Sequence, residues 1–260
     1  MDPFLLFNIL LVFLLGACIG SFLNVLIDRL PRGGNIFLGH SICFSCRKKI
    51  LLQDLVPIGS FLLLHGRCRN CSAKIPPRIF LVEVITAFFF VSIYFAYLAS
   101  LLNLESAIYT LIAYSIFLPI FFIDIEQGII PDALLILFLL VTAVYLAIFS
   151  PALFLPNLIT GIVLFLIFLA IYTLTSGRAM GFGDVKLAFI LGFYLGFPQI
   201  IIGIYLAFLT GAAASVILIL LGKKRLRGDT MPFGPFLVGA ALITYLLGNF
   251  ILVNIVARFI

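Results

Sequence analysis

"ALLILFLLVTAVYLAIFSPALFLPNLITGIVLFLIFLAIYTLTSG", residues 133–177, runs for 45 residues without an Asp, Glu, Lys or Arg. A membrane-spanning helix needs about 20 such residues, because ~30 Å of hydrocarbon is crossed at about 1.5 Å per residue. The run is long enough for two crossings, and Ser150-Pro151 and Pro156-Asn157 interrupt it near the middle, where they cannot comfortably continue a helix. It predicts a helical hairpin with a short loop near 150–157. Working outward, five more uncharged runs cover Phe4–Ile27, Val84–Leu104, Ser106–Ile123, Leu187–Gly222 and Thr230–Ala257. The run Leu187–Gly222 breaks at Gly196-Phe197-Pro198. It is long for one crossing and tight for two, so one of its helices, over Val185–Phe197, is expected to be short. The predicted fold is an all-α polytopic membrane protein of about eight transmembrane helices. Composition agrees: 64% hydrophobic residues, 10% charged residues and a mean hydropathy of +1.32 describe a chain whose solvent is lipid.

Basic residues set the expected orientation. Eight spans leave Arg29, Arg32, Arg47, Lys48, Lys49, Arg67, Arg69, Lys74, Arg78, Arg178, Lys186, Lys223, Lys224, Arg225 and Arg227 on one side and only Arg258 on the other. The crowded side is read as cytoplasmic, with both termini outside. The net charge of +6 then reports topology and contact with anionic lipid headgroups, and no nucleic-acid partner is expected. Met1-Asp2 is acidic and no charged n-region precedes the first apolar run, so that helix is expected to be retained. Three segments follow: a first transmembrane helix over 1–27, a cytoplasmic loop over 28–79 and a transmembrane core over 80–260.

The loop holds four of the five cysteines, as Cys43-Phe44-Ser45-Cys46 and Cys68-Arg69-Asn70-Cys71. Two C-x2-C pairs separated by 21 residues are close to the spacing that closes one tetrahedral zinc site. A loop of this size has too small a core to fold unaided, and a structural Zn2+ supplies the missing stability. A disulfide arrangement would suit an oxidising compartment rather than the cytoplasm. Cys18, within the first helix, reads as a small apolar residue.

Most of the ten acids have ordinary explanations; two do not. Asp124 ends the run Ser106–Ile123, and Asp184 follows Gly181-Phe182-Gly183 at the start of the next apolar stretch. Both stand at cytoplasmic helix ends and could meet in a bundle. Facing carboxylates cannot both ionise easily, so one holds a proton while the other activates water, which is the apparatus of acid proteolysis. Asp184 is equally suited to capping a helix that begins at Val185. Gly181 and Gly183 would free the backbone and let a substrate strand approach. Asp132, after Pro131, reads as a plain cap, Glu126 as a loop residue or a helper of Asp124, and Lys186 as a cation that balances charge at the site or, the favoured reading, reaches for headgroups.

These residues lie in an order that resembles the type IV prepilin peptidases, which are GxGD-type aspartic proteases that also act as N-methyltransferases. The resemblance rests on Gly20-Ser21-Phe22-Leu23-Asn24-Val25 with Arg29-Leu30-Pro31, the two cysteine pairs, Gly66-Arg67-Cys68-Arg69, Leu81-Val82-Glu83, Ile123-Asp124 ahead of Ile130-Pro131-Asp132, Gly181-Phe182-Gly183-Asp184-Val185-Lys186-Leu187, and Pro232-Phe233-Gly234-Pro235-Phe236. It implies Asp124 and Asp184 as the catalytic pair. It also implies leader cleavage of prepilins or pseudopilins at the cytoplasmic face of the bacterial inner membrane, then methylation of the new N-terminal amine from S-adenosyl-L-methionine, in pilus, type II secretion or competence systems. The loop 28–79 is the part associated with methyl transfer. Ile79-Phe80 stands where Tyr-Pro is common, and His40-Ser41 where Pro-Arg-Ser often precedes the first cysteine. No dinucleotide-type glycine fingerprint marks the methyl-donor pocket, for which Gly20, Asn24 and Arg29 are candidates by resemblance alone; close helix packing accounts for Gly20 equally well. A peptidase without methyltransferase activity, a proton- or cation-coupled transporter and a zinc-stabilised scaffold are the alternatives. A transporter predicts acids near mid-helix, and a scaffold predicts that replacing Asp124 or Asp184 is silent.

Overall fold

The structure, a computed structural model, describes residues 3–36, 40–178, 180–222 and 232–259. The Lys223, Lys224, Arg225, Arg227 and Asp229 cluster, with Met1 and Asp2, lies outside these. Among the described residues the chain forms helices α1 Pro3–Arg29, α2 Gly59–Leu63, α3 Pro77–Leu98, α4 Leu104–Gln127, α5 Asp132–Phe149, α6 Pro151–Leu174, α7 Phe182–Leu195, α8 Gln199–Leu220 and α9 Gly234–Phe259. The β pairing described is confined to two isolated bridges. The chain is all-α, as the apolar runs predict. Six of its helices are long and apolar enough to cross a membrane: those starting at Pro3, Pro77, Leu104, Asp132, Pro151 and Gln199. The other two of the expected eight are α7, with 14 residues as expected of the stretch before Gly196-Phe197-Pro198, and α9, with 26.

The 133–177 stretch folds as the expected hairpin, but its loop is tighter than 150–157. α5 ends at Phe149, Ser150 alone makes the turn, and α6 starts at Pro151. Proline suits the first helical position, where its missing N–H has no intrahelical role. Pro156 is absorbed into the helix close to its start, where one lost hydrogen bond is tolerated.

Two compact units divide the chain at Ser115/Ile116, within α4. In the first, α1 lies along α3. Gly16 and Gly20, four residues apart, let the backbones close: a Cβ on Gly16 would sit 2.8 Å from Ala87 Cα, and one on Gly20 2.8 Å from Glu83 Cα. Lipid tails are as apolar as leucine, so close packing rather than hydrophobicity holds such helices together.

In the second unit α7 is central, with ten of its fourteen residues buried. α6 crosses it at Gly161 and Gly192, where a Cβ on Gly161 would lie 2.7 Å from Phe189 O and one on Gly192 2.7 Å from Gly161 Cα. The carboxyl end of α7 is closed by Gly196 in the left-handed region and by buried Asn157, whose Nδ2 donates to Phe193 O at 3.1 Å. That bond satisfies one of the carbonyls a helix end leaves orphaned. Rings of α4, α5, α7 and α9 meet below the acids. Phe117 lies 4.5 Å from Phe138 and 5.5 Å from Tyr194, and Tyr194 stacks on Tyr245 at 4.8 Å.

Gly161→Leu should therefore lower the melting temperature of the purified protein in detergent by about 4–10 °C, the range for overpacking a tight contact in a chain of this size. Ile159→Leu on the exposed side of α6 should leave it nearly unchanged. Equal melting for the two variants would contradict the close α6–α7 crossing.

Candidate active site

Asp184 is placed by the start of α7. Gly181 is the N-cap, in extended conformation at φ −75° and ψ 153°, and the helix begins at Phe182 rather than at the expected Val185. Asp184 is thus the third helical residue. Its Oδ2 accepts the Gly181 N–H at 3.2 Å, while its own N–H donates to Gly181 O at 3.1 Å. This reciprocal pair moves the helix start upstream and turns the carboxylate into the first-turn anion that the helix N-terminus favours. Asp184 is 7% exposed.

Asp124 comes from the last turn of α4. That helix is closed by Gly128 at φ +67°, whose N–H donates to Asp124 O at 2.8 Å. The side chain is 4% exposed, and its Oδ2 is buried without a hydrogen-bond partner. An orphaned buried carboxylate oxygen is costly and rarely kept without use. Asp124 lies within electrostatic reach of Asp184. The N-terminus of α9 closes over it, and a Cβ on Gly234 would stand 2.5 Å from Asp124 Oδ2. Ile130 fills the space alongside, its side chain 3.3 Å from a Cβ on Gly183 and 3.2 Å from one on Gly234. Two acids separated by 60 residues are thus brought within electrostatic reach, with Ile130 packed between the starts of α7 and α9.

The expected reason for the two glycines needs correction. Gly181 has an ordinary extended backbone, and neither it nor Gly183 is among the glycines with positive φ. Gly181 supplies room, the nearest non-neighbouring side-chain atom to a Cβ there being Asp184 Oδ2, 3.6 Å away, whereas Gly183 admits Ile130, which a Cβ would meet at 3.3 Å. The reading of Lys186 as a cation reaching for headgroups is also corrected. Its Nζ pairs with the Asp132 carboxylate across 54 residues, locking the starts of α5 and α7 together. Glu126 is exposed. Gly234 is the site residue that residue-type reasoning missed. Its signal was the glycine between two prolines in Pro232-Phe233-Gly234-Pro235, and only the fold shows what it faces.

In the first unit the four loop cysteines converge, all sulfurs lying within 4.8 Å of one another. Each pair forms the same small turn. Cys43 N–H donates to Lys48 O and Cys68 N–H to Ala73 O, at 3.0 and 2.9 Å. Bridges Ile42↔Lys49 and Arg67↔Lys74 flank them, and Arg47 and Ser72, next after the second cysteines, take φ +59° and +56°. The backbone N–H groups of Cys46 and Ser45 draw the Cys43 thiol down to about 6, favouring thiolate. At Cys71 the Ala73 N–H pulls the same way, but desolvation and the three neighbouring sulfurs outweigh it and push that thiol up to about 11. Four sulfurs at this spacing cannot all become thiolates without a cation among them, and the cluster can hold one metal ion. Arg69 donates two hydrogen bonds to Asp54, holding that carboxyl below the usual range and fastening the second turn to the rest of the loop. Of the residues suggested by resemblance, Asn24 is buried, Arg29 donates to the carbonyls of Asn35, Ile36 and His40, and Gly20 packs against Glu83.

The same division appears on comparison with known proteins. Residues 14–97 match the bacterial peptidase A24 N-terminal domain, and residues 111–216 match the type IV leader peptidase family. Among relatives named prepilin leader peptidase/N-methyltransferase, the chain is 32% identical to that of Aeromonas hydrophila over 95% of this chain and 92% of the relative. It is 30% identical to that of Pseudomonas aeruginosa, over 93% and 91%, and 28% identical to that of Bacillus subtilis, over 93% and 95%. No solved structure matches significantly. With two family models matched in succession, and a relative 32% identical over more than nine-tenths of both chains, the chain belongs to the type IV leader peptidase family.

Proposed function

We propose that this protein is a membrane-embedded aspartic endopeptidase that removes the leader of type IV prepilin-like proteins and N-methylates the new N-terminal residue. The observation that carries the first activity is the burial of Asp124 and Asp184 together, with one carboxylate oxygen left without a partner. In this reading the two buried carboxylates share a proton. The ionised one takes a proton from water as the water attacks the scissile carbonyl, while the protonated one gives its proton to the carbonyl oxygen. As the C–N bond of the resulting gem-diol breaks, the first acid passes the proton it gained to the leaving amine and the second recovers one from the gem-diol hydroxyl. The N–H groups at the start of α7 offer positive partial charge beside that oxygen. Gly181 leaves space beside Asp184 for an extended substrate chain.

The substrate chemistry fits the position of these acids. A prepilin has a positive leader followed by a long apolar helix, so its scissile bond lies at the membrane surface. The lopsided distribution of Lys and Arg supports a cytoplasmic position for the cysteine loop and both acids. An enzyme in the inner membrane then meets its substrate without extracting it.

In this reading the cysteine cluster holds structural Zn2+. Around a tetrahedral zinc with bonds of about 2.3 Å, sulfurs lie about 3.8 Å apart, and Cys43 Sγ and Cys71 Sγ are separated by 3.8 Å. The ion would tie the two turns of the loop into one platform beside α1 and α3, where the methyl donor, S-adenosyl-L-methionine, would supply an electrophilic methyl group.

With the protein purified in detergent and a prepilin-like substrate, Asp124→Asn and Asp184→Asn should each lower cleavage at least ~100-fold while melting as the wild type does. Wild-type cleavage by either variant would overturn the aspartyl assignment. Cys68→Ser should reduce bound zinc, measured by elemental analysis, from about one ion per chain to near none and lower the melting temperature. Unchanged zinc content would contradict the four-cysteine site.

A further inference from the structure

The first unit holds a cavity of about 600 Å3 between the cysteine turns, the carboxyl end of α1 and the amino end of α3. That is within the range of small-molecule sites. Its lining is rich in basic side chains and includes three acids, Asp28, Asp54 and Glu83. Two of these are neutralised inside the protein: Arg78 pairs with Asp28 at 2.5 Å and Arg69 with Asp54 at 2.7 Å. Glu83 is 5% exposed, and among the described residues no Lys, Arg or His pairs with it. Its carboxylate accepts the Ile58 N–H at 2.7 Å. Ile58 is a β-branched residue at φ +62° and ψ −55°, the centre of a tight turn in which Gly59 N–H donates to Pro57 O. Such a conformation is strained and persists only where the surroundings impose it.

Asn24 adds a second acceptor. Its Nδ2 donates to Gly20 O at 3.3 Å and to Ile79 O at 3.0 Å, which assigns the amide orientation and leaves Oδ1 buried with no partner. Asn24 is 5% exposed and lines the same cavity. Where α1 and α3 pack, Gly20 meets Glu83, and Asn24, one turn on, meets Ile79, one turn before Glu83. The cavity wall thus offers a buried carboxylate without a cation and, about one helical turn away, an amide oxygen without a donor. Both groups only accept hydrogen bonds. Two oxygens are too few to replace the hydration of a hard metal cation, which takes six or more ligands. A primary ammonium, with three N–H donors and one positive charge, satisfies both.

We propose that Glu83 and Asn24 Oδ1 form the seat for a primary α-ammonium group in this cavity. The proposal rests on the methyl-transfer reading above, in which two reactants carry such a group: the freshly exposed pilin N-terminus and the amino-acid portion of S-adenosyl-L-methionine. The seat binds its ligand and forms no bond to it.

The test uses the full chain in detergent and compares wild type, Glu83→Gln and Glu83→Asp. Three quantities are measured: N-methylation of cleaved pilin by mass, the Kd for S-adenosyl-L-methionine by calorimetry, and leader cleavage together with zinc content as checks on folding. Glu83→Gln should cut methylation at least ~10-fold, the scale of one hydrogen bond to a charged group, with partial recovery in Glu83→Asp. A raised KM for the peptide with unchanged donor Kd assigns the seat to the pilin N-terminus. A raised donor Kd assigns it to the donor's amino group. Wild-type methylation and donor binding by Glu83→Gln would overturn the seat while leaving methyl transfer in place. A wild-type protein that neither methylates nor binds donor would overturn both. Should Glu83→Gln lose zinc and cleavage, the unmutated protein decides: labelling of Glu83 by a hydrophobic carbodiimide, mapped by mass, should be slowed by the donor or by cleaved-pilin peptide. Equal labelling with and without both ligands would reject the seat.

Discussion

The second unit depends on the shortness of α7. Fourteen residues rise only about 21 Å, against ~30 Å of hydrocarbon, so the helix cannot reach across on its own and both its ends must be satisfied by neighbouring protein. One end is closed by Asn157 and Gly196. At the other, Gly181 and Asp184 bond reciprocally, and α4 and α9 bring Asp124 and Gly234. A helix long enough to span would have carried Asp184 outward to the headgroups. The short one holds it 7% exposed, where its charge is not screened by water.

Close packing through small residues is the common device of both units. Gly16 and Gly20 bring α1 onto α3 in the first, and Gly161 and Gly192 bring α6 onto α7 in the second. In each case the crossing holds a polar group at a defined depth: Glu83 against Gly20, and Asn157, one turn before Gly161, beneath the end of α7. In lipid, where apolar contact carries little driving force, this is how a few buried polar side chains are positioned without a soluble core.

Much of this was legible in the sequence because the signals are local. Apolar runs and proline breaks mark the helices, the spacing of the two cysteine pairs marks the loop whose sulfurs converge, and Gly-x-Gly-Asp marks the start of α7. What was not legible is set by contacts between distant segments. The Lys186–Asp132 pair spans 54 residues, and each partner taken alone has an ordinary explanation. Gly234 looks like a turn glycine until the fold sets it against Asp124. The helix start at Phe182 depends on Asp184 folding back onto Gly181, which a count of apolar residues cannot register. The shortness of α7 was legible too, because Gly196-Phe197-Pro198 leaves too few residues before the break for a full crossing.

The central claim is that Asp124 and Asp184 act as one acid–base unit, and the pH dependence of kcat/KM for leader cleavage tests it most directly. A dyad that needs one carboxylate ionised and the other protonated predicts a bell-shaped profile with two macroscopic pKa values belonging to the pair. Replacing either acid by asparagine should leave no residual activity that follows the same curve. A profile with a single limb, flat on the other side across the range where the protein stays folded, would contradict the shared-proton mechanism.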